Sequence, residues 1–287
     1  MACPAPADTE SKAMPSPTDL PSAAPASAED PALGQPTPTK GVRLADLTWV
    51  EAEAKLTPET VVVIPLGAAS KEHGPHLQLG NDWLIADYYT RRVLAASDVV
   101  MAPTVGFHFY PAFTEFPGSI HLRADTARDL IVDICRSLAR HGPRRFYVLN
   151  TGVSTLRPLR ASAEILAGEG IALRFTDIVK LGAPIVDEIS EQQHGTHADE
   201  IETSMMLVIA PETVAMDKAV ADDRPKTKPG FSRIPDGPGH YAPSGVWGNP
   251  TLATRAKGER YLAHMVAGIL QDIEQLRAEP ISTPAPG

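Results

Sequence analysis

The chain has 287 residues, 28 of them proline, and a net charge of −9. An acidic chain is a poor partner for nucleic acid or an anionic membrane surface, and no stretch approaches the ~20 apolar residues of a membrane span. The two cysteines, Cys3 and Cys135, make neither a disulfide framework nor a metal-binding spacing, which suits a reducing compartment.

Residues 1–41 are a regime of their own. Nine prolines fall before Lys40, mixed with Ala, Ser, Thr and Asp, with no apolar period. The composition predicts a disordered tail, without the basic start and apolar run of a secretory signal. A folded domain is expected over 42–278, a loose tail over 279–287, and a cytoplasmic location.

Within the domain, 44–56 reads as a short helix with Leu47, Val50 and Ala54 on one side. The run 60–66 is apolar and β-branched, the pattern of a buried strand. A loop over 67–82 leads to a helical pattern over 83–96, which Asn81 or Asp82 can cap. A second strand is expected over 98–101, followed by an aromatic loop over 106–122 whose rings suit a pocket wall or the core. Then come an amphipathic helix over 125–141, capped by Asp125 or Thr126 and stopped by Gly142, and a third strand over 145–150. Helices follow over 158–167 and 182–193, with a strand over 171–175 between them. Thr196 and Asp199 have capping-box spacing, predicting a buried helix from near His197 to Ile209. Residues 214–239 are irregular, suited to a lid or an oligomer contact, and a last helix covers 254–276. Strands alternate with helices throughout. The predicted fold is therefore a three-layer α/β/α domain around a mainly parallel sheet.

Two clusters carry chemistry. The first is the loop after the first strand, where Glu72, His73, His76 and Asp82 fall within eleven residues. Ligands bind at the carboxyl ends of strands in open α/β sheets, and carboxylates with imidazoles suit a divalent metal. For Asp82, a helix cap and a metal ligand both fit the residues. The second cluster runs from His197 to Ser204. The helix dipole accounts for Asp199 and Glu200 near a helix start, but less well for Glu202.

The string Glu72-His73-Gly74-Pro75-His76-Leu77, with Asp82 nine residues after His73, resembles the signature of the creatininase (creatinine amidohydrolase) family. The family pattern is Glu-x-His-Gly-Pro-His-Leu-Pro followed by an Asp at the same distance. The string from His197 resembles its His-Ala-Gly-Glu-x-Glu-Thr-Ser block, with Asp199 in place of the Gly. The likeness spans about residues 43–275. It implies a creatininase-like fold and a metal-dependent amidohydrolase acting on a C–N bond, possibly cyclic, of a small molecule. It further implies one or two divalent ions (Zn, Mn or Fe) per chain, with Glu72, His73 and Asp82 as ligands, and a homo-oligomer, a hexamer by family likeness. His197 takes the proton-transfer role, and His76, Asn150 and Glu200 are expected around the metal or the substrate. Members of this fold also process modified peptides and deformylate pyrimidine precursors, so creatinine itself is not implied.

Two departures bear on the chemistry. Glu72 directly precedes His73, and Lys71 stands where the family has its Glu. The family strand that matches 145–150 usually ends Asn-Gly-His; here Asn150 matches, but Gly152 or Val153 replaces the His. Either another side chain, Glu202 foremost, completes the site, or one metal binds, or metal binding is lost. In that last case the chain is a binding or scaffold member with a degenerate site.

Overall fold

A computed structural model describes residues 39–280. Most of the tail expected over 1–41 lies outside the described residues, as do 281–287. Gly41 already belongs to the domain: it is buried, and its N–H donates to the Leu94 carbonyl at 3.0 Å. Glu279 is tied in too, because the Arg145 guanidinium donates to its carbonyl.

Five strands form one parallel sheet: β1 (Val42–Arg43), β2 (Val61–Leu66), β3 (Val100–Met101), β4 (Arg145–Asn150) and β5 (Ala172–Phe175), in the order β1-β3-β2-β4-β5. All six residues of β2 are buried, as expected of a parallel strand covered on both faces. Alternate side chains enter different cores. Val61 and Val63 of β2, with Tyr147 and Leu149 of β4, pack against α2 (Asn81–Ala96), α5 (Ile178–Ile189), α6 (Glu200–Ile209) and α7 (Arg255–Ala278). Val62, Ile64, Phe146 and Val148 pack on the other face against α3 (Ala124–Ala139) and α4 (Leu156–Ala167). The period of two thus sorts the strands' side chains into the two outer layers of an α/β/α fold.

Several local expectations change. The helix expected over 44–56 is a 3₁₀ turn (Leu44–Asp46) followed by α1 (Trp49–Lys55), whose start is set by a Thr48–Glu51 capping box. Val50 and Ala54, expected to share a packed side, are exposed. α2 begins two residues earlier than its apolar period suggests, so Asp82 lies in its first turn and not in the loop; the N-cap is Gly80, and neither Asn81 nor Asp82 caps. Arg123, not Asp125 or Thr126, takes the N-cap position of α3. α4 starts at Leu156, and α5 runs earlier than expected, with Pro184 inside it. α6 starts at Glu200 rather than at His197. Asp199 alone is its cap, accepting from the N–H groups of Ile201 and Glu202, and no capping box with Thr196 forms. Strand β3 is only two residues long. Among the described residues, no helix is long and apolar enough to cross a membrane.

From β2 the chain crosses to β3 on one side and later to β4 on the other. The carboxyl ends of β2 and β4 therefore flank the point where the direction of winding reverses, the ligand-binding crevice of such sheets. Residues 67–80 leave β2 there, and 151–155 leave β4.

The sheet centre should carry the stability. Ile64→Ala, at a position with no exposure, is expected to cost about 2–5 kcal/mol in urea unfolding. Val50→Ala on the exposed side of α1 should stay within about 0.5 kcal/mol of wild type.

Candidate functional site

The loop after β2 is fixed by its own backbone. Lys71 N–H donates to the Leu79 carbonyl at 2.9 Å, and Glu72 N–H to the Ser119 hydroxyl at 3.0 Å. This turns Lys71 and His73 toward the first turn of α2, where Asp82 is wholly buried. Asp82 Oδ1 lies 2.8 Å from His73 Nε2, and Oδ2 lies 2.7 Å from Lys71 Nζ. Burial by itself would raise the Asp82 pKa, but Lys71 and then His73 outweigh it and hold the carboxyl well below the usual carboxylate range. Burial likewise works against the Lys71 ammonium, and Asp82, with Glu202 behind it, reverses the balance and raises its pKa. The Lys71 ammonium also lies 4.9 Å from the Phe113 ring centre and 5.6 Å from that of Tyr110.

The second half of the site arrives just ahead of α6. His197 is held by an antiparallel bridge to Trp247, with N–H to carbonyl bonds in both directions. Its Nε2 meets Glu72 Oε2 at 3.0 Å, and its Nδ1 lies 3.7 Å from Glu202 Oε2. Burial would raise the Glu72 pKa; His197 outweighs it and lowers it. The other Glu72 oxygen accepts from Gly74 N–H. Gly245, at φ +81°, closes over the same carboxylate so tightly that a Cβ there would sit 1.9 Å from Oε1. Phe113 and Phe231 lie 4.4 and 5.5 Å from the His197 ring and wall it from solvent.

The structure thus joins the buried Glu72, His73, Asp82 and His197 and the half-buried Glu202 in one group. The other three expected residues face elsewhere. His76 Nε2 bonds the Thr203 hydroxyl at 2.8 Å, and burial lowers its pKa to about 4, so the ring is neutral at pH 7. Asn150 spends its amide on Gly152, Thr155 and Thr176, shaping the turn after β4. Glu200 turns back to Ser190, to the Glu191 and Gln192 N–H groups and to Lys257, tying α6 to the end of α5. Sequence reasoning gave no role to Phe231, which lies in the irregular part with no periodicity to mark it. Gly245 falls in a stretch, 244–248, that resembles the family's Gly-rich segment, but nothing local tied it to Glu72. Asp199, the cap of α6, is buried behind Glu202, and burial with the neighbouring Glu202 charge raises its pKa to about 7.

Among the described residues, His73, His197 and Glu202 are the group whose ligand atoms all lie within 4.8 Å of one another. Two imidazoles and a carboxylate are the donor set of open, catalytic zinc sites. The hydrogen bonds fit that use. His73 Nδ1 faces the Lys71 carbonyl at 2.9 Å and so carries a proton. A neutral ring then presents a bare Nε2 lone pair to the Asp82 carboxylate, a repulsion that only a cation, a proton or a metal ion, removes. His197, by contrast, spends Nε2 on Glu72 and keeps Nδ1 toward Glu202, the arrangement in which a carboxylate orients a ligating imidazole. The sequence led to His197 as a proton carrier; its position also brings it within reach of His73 and Glu202, with which it could hold an ion.

Beside Glu202 opens a cavity of about 230 Å³, walled by Tyr89, Ile178, Val186, Met205, Tyr261 and Met265. It is small against the ~300–1,000 Å³ of whole-ligand pockets and mostly apolar. Val153, one of the two residues that stand where the resemblance expects a His, lies at its rim.

This chemistry sits on a scaffold found elsewhere. The family model described as creatinine amidohydrolase matches residues 45–273. A creatinine amidohydrolase of Pseudomonas putida is 30% identical over 257 residues, 83% of this chain and 98% of that protein. A mycofactocin precursor peptide peptidase of Mycolicibacterium smegmatis is 31% identical over 223 residues, 75% of this chain and 85% of its own length. A solved structure described as Mn creatininase superposes with a TM-score of 0.69 at 25% identity, covering 83% of this chain and all of that one. The parallel sheet, the strand-end loop and the match over nearly the whole folded domain agree, and this chain is a member of the creatininase family.

Proposed function

We propose that the protein is a metal-dependent amidohydrolase that cleaves an amide C–N bond in a small substrate bearing an apolar group. The observation that carries this is the group formed by the buried His73 and His197 and the half-buried Glu202 at the carboxyl end of the sheet. These three residues would hold one divalent ion, which when bound polarises a carbonyl and makes a bound water acidic. Glu72 orients His197 and shares its Nε2 proton across 3.0 Å. The Lys71 carbonyl fixes the His73 ring through its Nδ1–H, and Asp82, 2.8 Å from Nε2, would face the ion beside it. Phe113 and Phe231 keep bulk water off the imidazole, which strengthens every charge interaction behind them. The cavity beside Glu202 accepts the apolar part of the substrate, and its size suits a single side chain rather than a whole ligand. The relative that acts on a precursor peptide supports an amide with peptide character; the relative that acts on creatinine supports a small cyclic one.

A second reading rests on a specific feature. Gly152 or Val153 occupies the position of the expected His and Lys71 that of the expected Glu, which suits a binding or scaffold protein with a degenerate site. Purified protein loaded with Zn²⁺ or Mn²⁺ and offered cyclic amides and short peptides with hydrophobic residues separates the two. Release of free amine supports the hydrolase. No bound metal and no release from any substrate supports the binding protein.

Two substitutions test the assigned roles. His197→Asn should lose the ion and the activity together. An ion retained with turnover reduced by about 10²–10⁴-fold would make His197 a proton carrier instead. Glu72→Gln, which keeps size but weakens the hold on His197, should reduce metal affinity by about 10–100-fold in a competitive chelator titration. Complete loss of binding would make Glu72 a ligand itself.

A further inference from the structure

A buried carboxylate needs a cation, and the chain itself supplies one beside Asp82. The Lys71 side chain is 7% exposed and that of Asp82 1% exposed, with Nζ and Oδ2 2.7 Å apart. The ammonium is closed in by the faces of Phe113 and Tyr110. This is a built cation site, a carboxylate floor with aromatic walls, filled by a side chain five bonds from its own backbone. It lies next to the three-donor group, because Asp82 spans the two: one oxygen faces His73, the other Lys71.

The charges of the pocket point the same way. Glu72, Asp82 and Glu202 bring three carboxylates, and Lys71 brings one ammonium. Asp199 stands apart, with its oxygens spent on the α6 amides and on Gln192. Two negative charges therefore remain, the charge of a single divalent ion. A second divalent ion would leave the pocket two charges positive, with the Lys71 ammonium pressed against it, and an uncompensated buried charge is strongly unfavourable.

We propose that Lys71 is a resident cation of this pocket: its ammonium occupies the second cation position, on Asp82 Oδ2, and limits the pocket to one divalent ion. The inference rests on the reading of His73, His197 and Glu202 as the residues that hold that ion. Lys71 is thereby a positioning residue. It fixes Asp82, whose other oxygen faces His73 Nε2, and it does so without leaving when a chelator is added.

The test is metal stoichiometry, read by native mass spectrometry and by elemental analysis after loading the full chain with Zn²⁺ and desalting. Wild type should hold about one ion per chain, and Lys71→Glu, which removes the ammonium and adds a donor beside Asp82, about two. Lys71→Arg, which keeps the charge, should stay at about one. Two ions in wild type, or one ion in both wild type and a folded Lys71→Glu protein, would overturn the proposal. The wild-type count decides the matter even where the Glu variant does not fold, since two ions there are incompatible with an ammonium in the second position. The outcomes also separate this inference from the hydrolase reading. An empty wild type with about one ion in Lys71→Glu leaves the Lys71 assignment standing and removes the single-ion site. Empty wild type and empty variant remove both.

Discussion

Asp82 is a carboxylate with no access to water, and its position is what the rest of the site answers to. It enters the interior on the first turn of α2, where the positive end of the helix helps but does not suffice. The interior offers no solvent to screen it, so its compensation has to come from side chains delivered within hydrogen-bonding reach. The strand-end loop delivers two of them, and the backbone bonds of that loop to residues 79, 106 and 119 serve to aim them. Removing one partner would strand a charge; keeping both obliges the loop to hold one shape. The rigidity of residues 67–80 is therefore an electrostatic requirement before it is a catalytic one.

The same requirement orders the neighbouring elements. His197 and Glu202 come from a different part of the chain, yet they face the loop because α6 starts at Asp199, whose carboxylate takes the first free amides of the helix. Had the helix begun at His197, as a Thr196 cap would require, the imidazole would have been part of the first turn. Instead it is held in an extended bridge to Trp247, with both ring nitrogens free to reach acids. A helix start displaced by three residues thus decides which groups converge.

Much of this was legible in the sequence. The β-branched run ending at Leu66 marks the central strand because full burial leaves no polar side to alternate with. The spacing of His73 and Asp82 brings one onto the other because the loop between them returns on itself before α2. What sequence did not show is pairing across distance. Nothing near Glu72 announces that His197 is its partner, and nothing near Glu200 announces that its buried charge belongs to Lys257 in the last helix. Local signals failed where several capping residues competed: the Asp and Thr at the start of α3 both look like caps, and the chain uses neither. The helix start at Asn81 is another such case, since tertiary contacts of Asp82 outweigh its preference for a cap. Lys71 was visible as a substitution in a motif, but its partner became evident only with the fold.

The glycine that closes over Glu72 has an evolutionary corollary. At position 245 the chain tolerates no side chain without pushing the Glu72 carboxylate aside, and with it the imidazole that the carboxylate steers. A relative could therefore retain every charged residue of the strand-end motif and still have a dismantled centre, because of one methyl group more than 170 positions downstream. Descent with a conserved motif and descent with a conserved activity part company at such a place, and the residue to inspect when sorting relatives of this chain is the one that contributes no atom to the chemistry.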